Sequence, residues 1–119
     1  MRAGWSTAVA LLAAPWLACG GPPDPMIVRC SEVVEYRHPE LRALDFELVR
    51  LSANAVTLDF DGVDRETKEK FADRIECEFD PRLKLTRVAM EGEALSETEV
   101  ALANSELLLR DLSRDPAGS

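Results

Sequence analysis

The sequence predicts an α+β domain in which an N-terminal helix packs on a four-stranded antiparallel sheet and a C-terminal helix follows. Three observations carry this. Met26, Ile27, Cys30, Val33 and Val34 recur at helical spacing, whereas a strand would put Arg29 and Ser31 on the face of Ile27 and Val33. From Phe46 to Phe79 the period changes to alternation, the pattern of strands with one buried face. Farther on, Ser96 and Glu99 form a capping box while Leu95 and Val100 occupy the positions of a hydrophobic staple, so two separate signals start a helix at one place. Strands joined by short turns pair antiparallel, and a preceding helix buries its apolar stripe on one face of their sheet.

Each element has its own local cause. Asp24 and Pro25 read as N-cap and first helical residue, and Pro39 drives His38 out of the α region, which sets a helix over residues 25–37. Phe46, Leu48, Val49 and Leu51 form an imperfectly alternating strand, residues 52–54 supply a turn, and Val56, Leu58 and Phe60 then alternate with Thr57, Asp59 and Asp61. Residues 62–70 are polar and interrupt the pattern. Ile75, Cys77 and Phe79 alternate with Arg74, Glu76 and Glu78, so Cys77 faces the core. Asp80-Pro81 is a turn, residues 83–90 read as the last strand, and Glu91-Gly92 turns the chain toward the second helix. That helix should run to about Leu112, making residues 25–112 a single domain and residues 113–119 a tail with nothing to bury.

Ahead of the domain, Arg2 supplies a short positive region and residues 8–17 an apolar one, and the small residue Ala18 stands before Cys19. This is the layout of a secretory leader. Its apolar run falls short of the roughly 20 residues of a spanning helix. Trp16-Leu17-Ala18-Cys19 resembles the lipobox of bacterial lipoproteins, with Trp16 and Leu17 where that family usually carries Leu and a small residue. The resemblance implies removal of residues 1–18, acylation of Cys19, and a protein held on a membrane by lipid. Gly20, with no Asp at that position, implies the outer membrane facing the periplasm. Cleavage before Gly21 is the alternative, and it would leave a soluble periplasmic or secreted protein. Residues 19–24 form a short tether on the first reading, and five residues reach at most about 18 Å.

Removing residues 1–18 takes away Arg2 and no acid, so the formal charge passes from −8 to −9. Such a charge speaks against nucleic acid as a partner and equally against electrostatic adsorption to anionic lipid, and leaves basic proteins or cations as the partners it would attract. Of three cysteines, one goes to the lipid or the leader, which leaves Cys30 and Cys77 as the one intramolecular pair in an oxidising compartment. Cys30 lies on the apolar stripe of the first helix, so a helix laid on the sheet brings both sulfurs to one interface.

The remaining chemistry is sparse. His38, the single histidine, is expected as an exposed loop residue, because no serine lies in a nucleophile-elbow or similar motif. Asp59, Asp61 and Asp64 flank Gly62, but their spacing departs from the EF-hand pattern, and they read as turn-flanking acids. Nothing selects a carboxylate pair for glycoside hydrolysis. No catalytic residue, cofactor or metal ligand is expected. In the second helix Val100, Ala103 and Leu107 share one stripe, whereas Leu102 and Leu109 fall nearly opposite. Leu102 and Leu109 are therefore the candidate partner-binding pair, for self-association or for docking on another envelope protein. The functional expectation is a non-enzymatic protein-binding or structural module at a membrane surface. The alternative is an inhibitor or ligand-binding module for a basic partner.

Overall fold

The computed structural model describes residues 24–114. The leader, Cys19 and residues 115–119 lie outside the described residues. Helix α1 (Pro25–Arg37) begins where the Asp24 carboxylate accepts a hydrogen bond from the Met26 N–H at 2.8 Å. It ends at His38, whose N–H donates to the Val34 carbonyl. Strands β1 (Leu41–Leu51), β2 (Ala55–Asp64), β3 (Lys70–Phe79), β4 (Leu85–Met90) and β5 (Glu93–Ala94) lie in the sheet in chain order, each antiparallel to its neighbour. Helix α2 (Glu97–Arg114) closes the described chain.

The fold is the α+β arrangement expected, with five strands in place of four. The fifth is a two-residue strand folded back on β4, with Glu91 at φ 56° and Gly92 at φ 78°. Two consecutive positive φ values suit a tight hairpin, and two residues leave no alternation to read. β1 starts five residues before Phe46, because Ala43 at φ 55° and a register shift between Arg42 and Asp45 interrupt the period there. β4 starts at Leu85 and not at residue 83. Leu83 has φ 68° in a turn that Asp80 closes by accepting the N–H groups of Arg82 at 2.8 Å and Lys84 at 3.0 Å. α2 continues to Arg114, past the expected end at Leu112, where Arg114 donates to Glu32 at 2.6 Å.

Both helices cover the same face of the sheet. Cys30, Val33 and Val34 of α1 are fully buried against Val56, Leu58, Ile75 and Cys77, and α2 adds Val100, Ala103 and Leu107. The Cys30–Cys77 disulfide joins α1 to β3, with 5.9 Å between the Cα atoms. Leu51, Val56, Cys77 and Val88 stand in one row across the sheet, so this row passes beneath Cys30. The other end of α1 lies over a lower row, where the His38 ring is 5.8 Å from that of Phe60 and 5.0 Å from that of Phe71. The α1 N-terminus, the β1–β2 turn and the β3–β4 turn therefore share one end of the domain, and the Phe79 N–H donates to the Asn54 carbonyl between those two turns. The opposite sheet face is open and charged. Glu47, Asp59 and Arg74 form one of its rows, and Arg74 grips Asp59 through two hydrogen bonds of 2.6 and 3.2 Å.

Candidate interaction surface

α2 is pinned to the sheet by its buried stripe and by Asn104. The Asn104 carboxamide accepts from the Leu85 N–H at 2.9 Å and donates to the Leu85 carbonyl at 3.0 Å, so it continues the ladder of β4 where no strand does. Sequence reasoning missed this residue. Its signal is an asparagine inside a helix, where the residue type is unfavourable unless its amide has a task.

Charged pairs then align α2 antiparallel to α1. Arg29 donates to Asp111 at 2.8 Å, Arg114 to Glu32 at 2.6 Å, Arg110 to Glu35 at 2.6 Å, and Arg37 to Glu99 at 3.5 Å. Arg110 also donates to Glu106 at 2.9 Å, and its hydrogen bonds to the Glu106 and Glu35 carboxylates raise its guanidinium further above its ordinary range. Glu32 is the exception to the surface placement of these groups. It is buried, and one of its carboxylate oxygens has no hydrogen-bond partner among the described residues.

What the ladder and the sheet leave outside is the far side of α2. Leu102, Leu108, Leu109 and Leu112 are 52%, 58%, 60% and 61% exposed, whereas Val100, Ala103 and Leu107 are buried. At 100° per residue, the arc from Leu108 through Leu112, Ser105 and Leu109 to Leu102 covers about 120° and holds no charged side chain. Within it Leu102 and Leu109 form one edge, next to Glu106 and Arg110, and Leu108 and Leu112 form the other. The sheet edge exposes a second, smaller set, Leu48, Val49 and Leu51 of β1. An open cleft of about 520 Å³ lies along the Leu108 edge, between α2 and the β3–β4 turn. Leu83, Ala101 and Leu108 line it together with Arg29, Arg82 and Lys84.

His38 departs from its expected place. Its side chain is only 15% exposed, because the ring packs on Phe60 and Phe71, while Nδ1 lies 3.0 Å from the Glu40 carboxylate. That hydrogen bond is the largest cause holding the Glu40 carboxyl below its ordinary value of 4.5. No hydroxyl or thiol among the described residues bonds to the imidazole. Asp59 and Asp61 lie on the open sheet face, and Asp64 accepts the N–H groups of Glu66 and Thr67 at 2.8 and 2.9 Å, closing the β2–β3 turn. Among the described residues, no group of three or more His, Cys, Asp or Glu is placed to hold a metal ion. No described helix is long and apolar enough to cross a membrane.

Comparison of the chain with protein-family models, with characterised proteins and with solved structures gives no match.

Proposed function

We propose that the chain is a small, acidic envelope lipoprotein, anchored through Cys19, that works without catalysis by seating another envelope protein along the Leu102 and Leu109 edge of α2. The observation that carries this reading is the uncharged arc of α2. A helix that packs one stripe on a sheet ordinarily presents charged residues on its other side, and here that side presents four exposed leucines. A contact patch built on exposed leucines gains free energy when a partner removes them from water, at about 25 cal/mol per Å² of apolar area. The buried Cys30–Cys77 disulfide fits an oxidising compartment, which supports export.

Growth of the producing cell with labelled fatty acid tests the anchor. Wild-type chain should take up label and Cys19→Ala should not; equal uptake by both would remove Cys19 as the acylated residue. Chemical cross-linking in the intact envelope tests the seat on α2.

The open sheet face favours a second reading, binding of a basic protein. Asp45, Glu47, Asp59 and Asp61 lie together on two adjacent strands, and only Asp59 of the four is paired with a cation among the described residues. Capture through that face would weaken steeply with added salt, whereas capture through the leucines would not.

A further inference from the structure

We infer that the end of the domain carrying the α1 N-terminus is a bilayer-contact surface: Leu108 and Leu112 enter the interface of an anionic membrane while Arg82 and Lys84 meet its phosphates. This rests on the acylation of Cys19 proposed above. The cleft between α2 and the β3–β4 turn sets Leu108 beside Arg82 and Lys84, with Leu112 one helical turn farther on, and the β3–β4 turn shares an end of the domain with the α1 N-terminus. The Arg29–Asp111 and Arg37–Glu99 pairs run the helices antiparallel, so the C-terminal half of α2 lies toward the N-terminal half of α1.

Chain length then fixes what lies opposite. Cys19 and Asp24 are five residues apart, and five residues reach at most about 18 Å, so the lipid holds this end of the domain close to the bilayer. A protein partner has no reason to favour that end; a membrane is brought there by the tether.

Charge distribution agrees with the same orientation. The chain is strongly acidic, yet Arg82 and Lys84 stand exposed on the cleft beside Leu108, outside ion-pair distance of any carboxylate among the described residues, although the Asp80 carboxyl of the same turn is held low partly by both and Asp111 also lines the cleft. Glu66, Glu69, Glu91 and Glu93 occupy the turns and the short strand at the opposite end, while Asp24 and Asp80 lie at the near end with their carboxylates turned onto backbone N–H groups. Leucines flanked by cations are the composition that lies in a membrane interface. Around α2, Leu102 lies about 120° from Leu108 and about 80° from Leu112, so membrane contact at the Leu108 edge leaves Leu102 on the other edge of the arc.

Trp5 and Trp16 both precede Cys19, so the mature chain has no tryptophan and a single one can be introduced as a probe. Leu112→Trp and Leu102→Trp, both at exposed positions, are placed in the acylated chain and inserted into vesicles of phosphatidylethanolamine and phosphatidylglycerol with brominated acyl chains. Emission at position 112 should shift to the blue and be quenched several-fold more than at position 102. Combining Leu112→Trp with Arg82→Ser and Lys84→Ser should weaken the contact about fivefold per charge removed without releasing the chain. Equal quenching at 102 and 112 in chain that carries the fatty-acid label would overturn the contact and leave the anchor standing. Chain without label at Cys19 would overturn both. Emission at 112 that is already blue-shifted in detergent-dispersed chain and stays unquenched in vesicles would give this surface to a second copy of the chain, and overturn the inference.

Discussion

Removing the Cys30–Cys77 bridge should cost this domain a large share of its stability. The two cysteines are 47 residues apart, and closing a loop of that length in the unfolded chain is worth about 4 kcal/mol in the chain-entropy model. A domain of this size has a total stability of roughly 5 to 15 kcal/mol, so the bridge is a large share of it. Both residues are fully buried between α1 and β3, so replacing them with alanine also removes packed sulfur and adds a cavity cost. With about 4 to 8 °C lost per kcal/mol in a domain of this length, Cys30→Ala/Cys77→Ala should lower the thermal midpoint by roughly 15 to 30 °C. Circular dichroism of the wild type with and without reductant, beside the double variant, measures both effects. The reduced wild type should fall nearly as far as the double variant. A midpoint that moves by only a few degrees in either sample, or alkylation of both thiols in unreduced protein, would refute the reasoning.

Two further outcomes follow from particular contacts. Asn104→Ala should destabilise by about 1 to 3 kcal/mol in urea unfolding, because it leaves the N–H and carbonyl of Leu85 without the partners they have; no change would show that water replaces the amide without cost. Acidification should also destabilise. The Glu40, Asp64, Asp80 and Glu99 carboxyls are all held below their ordinary values, Glu40 chiefly by His38 and the other three chiefly by backbone N–H groups. Groups with depressed native values stabilise fully above their unfolded values, here 4.5 for Glu and 3.8 for Asp, and lose that contribution as pH falls through the native ones. Denaturant midpoints should therefore decline from about pH 4.5 downward, and less steeply in Asp80→Asn; an unchanged slope in that variant would remove Asp80 from the set.

Much of the fold was legible because its signals are local. Asp24-Pro25 starts α1 as the residues imply, and the capping box forms in both directions, Glu99 N–H to Ser96 Oγ at 3.1 Å and Ser96 N–H to Glu99 Oε1 at 2.9 Å. The alternation around Cys77 put its sulfur in the core, and the stripe of α1 brought Cys30 to meet it. What stayed illegible depends on contacts between distant residues or on irregular backbone. The positive φ of Ala43 hid the start of β1, the length of β5 hid that strand, and the burial of His38 needed Phe60 and Phe71 from two other strands. On the candidate surface, the exposure of Leu102 and Leu109 was readable because a single helix has one sheet to pack on. The placement of Leu108 beside Arg82 and Lys84 was not, since it depends on how α2 sits relative to the β3–β4 turn.

The seat on α2 is tested most directly by Leu102→Glu/Leu109→Glu in the native envelope. Both side chains are more than half exposed, so the double variant should keep its circular-dichroism spectrum and lose no more than about 1 kcal/mol, twice the usual limit for one surface change. Cross-linking to the envelope protein captured by the wild type should disappear. Capture at the wild-type level would contradict the proposed seat, and so would a collapse of stability, which would show that these leucines belong to the core.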